Sequence, residues 1–251
     1  DLWLLGDHRL LCGDATKLDD LKALMGDERY SILVSDPPYG VSYSEKNEFL
    51  NRYDKGNRVQ KKIEGDDQSP DQMAAFWKAA FSTIRPFAGD GASFYITGPS
   101  GFLLLPLLIA LRDSGFLQRQ LLVWSKNNMV FGRSDYHYKH ESILYGWVKG
   151  THRYYGPPNE VSVWEIERPS KSKLHPTMKP VWLFARAIRN SSKTAEIVLD
   201  PFLGSGTSMI AAEQLGRRCY GLEIDPAYCD VIVERWQKFT GQKAKRRRGN
   251  V

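Results

Sequence analysis

The chain has 251 residues, enough to bury a sizeable core as one α/β domain. Hydrophobic residues make up 42% and charged residues 25%, globular values that exclude a disordered or fibrous chain. The formal net charge is +6, which favours a polyanionic partner over a basic one. The longest apolar run, Phe102 to Leu111, is broken by Pro106 and is too short to span a bilayer, and no signal peptide is read at the start. Three cysteines, Cys12, Cys219 and Cys229, are odd in number and lack metal-ligand spacing. They read as reduced thiols of a cytoplasmic protein with no metal. The chain opens at Asp1 without a methionine, which suggests a piece of a longer protein.

In chain order, a strand is expected at Arg9 to Cys12 and a helix near Leu18 to Met25. The apolar run Ile32-Leu33-Val34-Ser35 reads as a buried parallel strand. It ends in Asp36-Pro37-Pro38-Tyr39, whose prolines stop the strand and stiffen the turn. A carboxylate, backbone carbonyls and an aromatic ring are thereby held at a strand's carboxyl end. That set suits a planar group with an exocyclic amine: the carboxylate and one carbonyl accept the two amine hydrogens, and the ring stacks.

Residues 42–70 are too polar and too long for a plain connection and read as a functional or disordered loop. Ser69-Pro70-Asp71 opens a helix whose apolar positions include Phe76, Trp77 and Phe81. A strand at 91–97 and a helix at 102–113 follow. Gln120 to Trp124 and Glu141 to Val148 read as a β pair, joined by a loop carrying Asn127, Asn128, Arg133, Tyr136, His137 and Tyr138. Residues 150–174 show little periodicity, and 181–191 form a helix.

The most informative C-terminal stretch is a strand, Glu196 to Asp200, running into Pro201-Phe202-Leu203-Gly204-Ser205-Gly206-Thr207 and a helix at 208–215. Gly204 and Gly206 let the backbone approach a ligand where a Cβ would collide. A second strand ends in Glu223, 23 residues after Asp200, where a ribose-binding carboxylate is expected in a nucleotide-type βαβ unit. Asp225, before Pro226, competes for that role but suits the cap of a last helix running to about Phe239. The third glycine of a dinucleotide loop is missing, and no Gly-Lys-Ser/Thr phosphate loop occurs. A ligand with ribose but no phosphates fits better, and S-adenosylmethionine is such a ligand.

The pairing of Asp36-Pro-Pro-Tyr39 with Asp200-Pro-Phe-Leu-Gly-Ser-Gly-Thr207 resembles the S-adenosylmethionine-dependent DNA amino-methyltransferases. The catalytic tetrapeptide precedes the cofactor loop, an order similar to the β class of that family. His175-Pro-Thr-Met-Lys-Pro180 and Gly13-Asp14 resemble two further landmarks. The resemblance implies one doubly wound, mostly parallel, seven-stranded Rossmann-like α/β sheet. It divides the single domain 1–251 into a catalytic half (1–149), a short recognition or linker segment (150–174), a cofactor half (175–240) and a basic tail (241–251).

By the same resemblance Asp36, Pro37, Pro38 and Tyr39 are catalytic. Asp200, Phe202, Gly204, Gly206 and Thr207 hold the cofactor, Glu223 its ribose, Asp14 its adenine, and Thr177 and Lys179 its methionine carboxylate. Asp14 could instead cap the helix that follows it, and His175 could be a plain turn residue. The implied partner is double-stranded DNA with a flipped base, and a homodimer is compatible with the pattern. The first-position Asp leans towards adenine N6, with cytosine N4 as the alternative. A catalytically silent DNA-binding subunit is the alternative of a different class. Lys243, Lys245, Arg246, Arg247 and Arg248 offer a phosphate contact or a merely solvated end.

Overall fold

The computed structural model describes residues 1–40, 69–129, 135–167 and 179–247. Among these, ten strands form one sheet: β1 (Leu2–Leu5), β2 (His8–Cys12), β3 (Tyr30–Ser35), β4 (Ala88–Gly98), β5 (Phe116–Ser125), β6 (His140–Val148), β7 (Val163–Glu165), β8 (Ile197–Asp200), β9 (Arg218–Glu223) and β10 (Lys245–Arg247). The helices are α1 (Leu18–Met25), α2 (Pro70–Ile84), α3 (Leu104–Asp113), α4 (Val181–Ser191), α5 (Thr207–Gln214) and α6 (Pro226–Thr240).

The strand order is β10-β1-β2-β9-β8-β3-β4-β6-β5-β7. The five central strands, from β2 to β4, pair in parallel. Parallel strands are covered on both faces and so need apolar side chains on both. In β3, Leu33 joins the core under α1, α2 and α3. Its neighbours Ile32 and Val34 join the core under α4, α5 and α6. The result is a three-layer α/β/α arrangement.

Two crossovers position the site. The chain leaves β3 through α2 to reach β4 on one side, and leaves β8 through α5 to reach β9 on the other. The two helices lie on opposite faces. β3 and β8 are neighbours, with Ile32 opposite Val198 and Leu33 opposite Leu199. The winding therefore switches between them, and ligands of such sheets bind beyond the strand carboxyl ends at that switch. The motifs at 36–39 and 200–207 follow these two ends.

All seven expected strands are present, and the count of seven is corrected to ten. The additional β1, β7 and β10 are three or four residues long and lie at or next to the sheet edges. β10 also revises the basic tail: Lys245, Arg246 and Arg247 pair with β1 while their side chains stay exposed. Charged residues on an edge strand discourage pairing with another chain. In the segment 150–174, Val163–Glu165 joins the sheet beside β5. The loop expected at 42–70 falls almost wholly outside the described residues. No described helix is long and apolar enough to cross a membrane.

Candidate active site

The turn at 36–39 leaves β3 and is held by Trp77 of α2, Thr97 of β4 and Lys179, two residues before α4. Trp77 of α2 donates its indole N–H to the Pro38 carbonyl at 2.9 Å. That carbonyl is thus engaged in positioning the turn. Among the described residues no donor reaches the Pro37 carbonyl. Asp36 Oδ1 accepts from the Tyr39 hydroxyl at 2.6 Å and from the Thr97 hydroxyl at the end of β4. Asp36 Oδ2 lies 2.8 Å from Lys179 Nζ.

Lys179 continues the contact outward. Its Nζ is also 2.9 Å from Glu141 Oε2, near the start of β6. Glu141 Oε1 in turn lies 2.5 Å from Lys126 Nζ, just after β5. Four charges therefore alternate in sign across the mouth of the sheet. Both lysines are almost fully buried, at 8% and 5% exposure. Buried charges persist only when paired. Burial pushes the Glu141 carboxyl up, but Lys179 and Lys126 outweigh it and hold the group down to about 2. Tyr39 is shifted the other way: burial, then the Asp36 and Glu141 carboxylates, keep its phenol protonated.

The second half of the site surrounds the glycine loop. Gly204 and Gly206 have φ of 56° and 78°, the left-handed region that favours glycine. A Cβ on Gly204 would meet nothing within 4 Å, so open space faces the loop there. Glu223 sits across from it at the end of β9. Its Oε2 accepts from the Gly204 N–H at 2.8 Å and its Oε1 from the Asp225 N–H at 2.9 Å. Burial pushes the Glu223 carboxyl up to about 7, against the two N–H bonds that favour its charge. The Phe202 ring is 5.8 Å from that of Phe76 on α2, so one helix touches both motifs.

Several residues expected to hold a ligand also make bonds within the protein. Asp200 is 2% exposed, with Oδ1 accepting from Ser35 Oγ and the Phe202 N–H and Oδ2 from Ser208 Oγ. It ties the end of β8 to the end of β3, and burial raises its carboxyl to about 6. Thr207 is buried, and its hydroxyl accepts from Arg235 of α6, which also grips the Ser205 carbonyl at 2.8 Å. Asp225 caps α6 by accepting from the Ala227 N–H at 2.8 Å, the cap expected of it. Asp14 Oδ1 accepts from the backbone N–H and hydroxyl of Thr16, a local turn that leaves its second oxygen outside those bonds. Lys179 reaches the Asp36 carboxylate. Thr177 and His175 lie outside the described residues.

Thr97, Lys126, Glu141, Ser35, Ser208 and Arg235 lie outside the sequence motifs, and Trp77 reads in sequence only as core. One signal was available. Trp124-Ser-Lys126 and His140-Glu141 put charged residues at the ends of two apolar strands that pair in register.

Residues 30–234 match the family model described as DNA methylase, and the chain belongs to that family. It is 27% identical over 231 residues to the Type II methyltransferase M2.DpnII of Streptococcus pneumoniae, covering 84% of each chain. Among solved structures it resembles an M1.HpyAVI–S-adenosylmethionine complex, with a TM-score of 0.65 and 21% identity over 90% of this chain and 98% of that one. It also resembles the PvuII DNA methyltransferase, described as cytosine-N4-specific, with a TM-score of 0.68 and 15% identity over 92% and 89% of the two chains.

Proposed function

We propose that the chain transfers a methyl group from S-adenosylmethionine to the exocyclic N6 of an adenine flipped out of double-stranded DNA. The observation that carries this reading is Asp36 at the end of β3, with the open space at Gly204 and Glu223 following the neighbouring strand β8. The site fits that cofactor: a carboxylate for two ribose hydroxyls, an open glycine loop, and no phosphate loop. The relatives' description as Type II methyltransferases supports a place in restriction and modification.

The bound cofactor supplies an electrophilic methyl on a sulfonium. The protein's task is the acceptor, because a base amine conjugated with its ring is a poor nucleophile. Asp36 and the Pro37 carbonyl accept its two hydrogens, which favours a pyramidal nitrogen and aims its lone pair at the methyl. The N–CH3 bond forms as the S–CH3 bond breaks, and Asp36 is placed to receive the proton that the amine gives up. Positioning and fixed charge supply the rate, with no covalent enzyme intermediate. Tyr39 stacks on the base, which must leave the duplex to reach the turn. Incubation with labelled cofactor and DNA tests the reading, and label transfer to DNA amino groups is the expected result.

A further inference from the structure

We propose that Lys179 and Asp36 together read one edge of the flipped base, Asp36 accepting from the exocyclic amine and Lys179 donating to the adjacent ring nitrogen. This rests on the amine-methylation reading above. The two groups lie 2.8 Å apart. That spacing suits two parallel hydrogen bonds to neighbouring positions on a base edge, as in bidentate amide contacts to adenine. Adenine presents N6–H beside N1, and cytosine presents N4–H beside N3. Guanine and thymine reverse the pattern, placing a carbonyl against the carboxylate and an N–H against the ammonium.

Lys179 can keep this post when the base arrives. Its ammonium is 2.9 Å from Glu141, which Lys126 holds from the other side at 2.5 Å. The approach of an amine to Asp36 therefore does not cost Lys179 its other carboxylate. The Nζ also lies 5.6 Å from the centre of the Tyr39 ring, so a base stacked on that ring has its edge within reach. The four charges sum to zero, so the donor adds no net positive charge beside the sulfonium.

The test uses duplexes carrying the sequence context that methylome sequencing defines. The target is adenine or 1-deazaadenine, each opposite an abasic position so that unpairing is common to both. The wild type should lose on the order of tenfold or more in kcat/KM on 1-deazaadenine, which keeps the amine and lacks N1. Lys179→Met should show that loss on adenine and little further loss on 1-deazaadenine, with S-adenosylmethionine affinity by calorimetry within about twofold of wild type. Equal wild-type turnover of both bases would overturn the proposal and leave amine methylation standing. Independent, multiplying losses, or loss of cofactor binding in Lys179→Met, would also overturn it. Absence of transfer to any base amine would overturn the underlying reading as well. If Lys179→Met does not fold, the wild-type comparison alone decides.

Discussion

In the proposed reaction two residues carry the chemistry most directly. Asp36 collects two hydroxyls and an ammonium, and the target amine must take its place among them. Asp36→Ala should lower kcat by at least about 10²-fold, because a positioned charged acceptor is lost. Cofactor binding should survive, since both prolines and the Trp77 bond remain. Near-normal turnover would remove Asp36 from the mechanism. Glu223 makes a pH prediction. Its folded-state value of about 7 lies above the ordinary 4.5, so its charged form is lost as pH falls through 7. In the proposed site, ribose hydroxyls donate to that charged form. S-Adenosylmethionine affinity, measured by calorimetry, should therefore rise from pH 6 to pH 8, and Glu223→Gln should flatten the profile. For the free enzyme the sign is opposite. A raised carboxyl takes up a proton on folding, so its contribution to stability falls as pH rises between 4.5 and 7.

At the scale of elements, the two motifs are joined by β3, β8 and α2. The Ser35–Asp200–Ser208 link is the covalent-free rivet between them. Asp200→Ala leaves the hydroxyls of Ser35 and Ser208 buried without their acceptor, at about 1–3 kcal/mol each. The denaturation midpoint should fall clearly, and an unchanged midpoint would show that the link is dispensable. This level also shows what was legible. The strands at 32–35 and 197–200 were readable because burial on both faces demands an apolar run. The Ser69 and Asp225 caps were readable from local chemistry and form as expected. β7 and β10 were not, because Val163–Glu165 and Lys245–Arg247 gain strand geometry only from the neighbour they pair with. The Lys126–Glu141–Lys179 chain was legible only in part: charged residues end the paired strands β5 and β6, but nothing local marks Lys179 as their partner.

At the scale of the molecule, the positive charge and the site share one polyanionic partner. DNA affinity should fall steeply with salt, since each phosphate contact releases condensed counterions. Deleting residues 243–251 should reduce that slope and also lower stability, because β10 covers the edge of β1. An identical slope would make the tail a structural edge alone. The central claim concerns the product. DNA methylated by the protein should be digested to nucleosides and separated by mass spectrometry. N6-Methyladenine as the main product is predicted by the Asp36 turn and the purine face offered to Tyr39. N4-Methylcytosine as the main product would contradict the adenine assignment, and cytosine methylated at carbon 5 would contradict the amine mechanism itself.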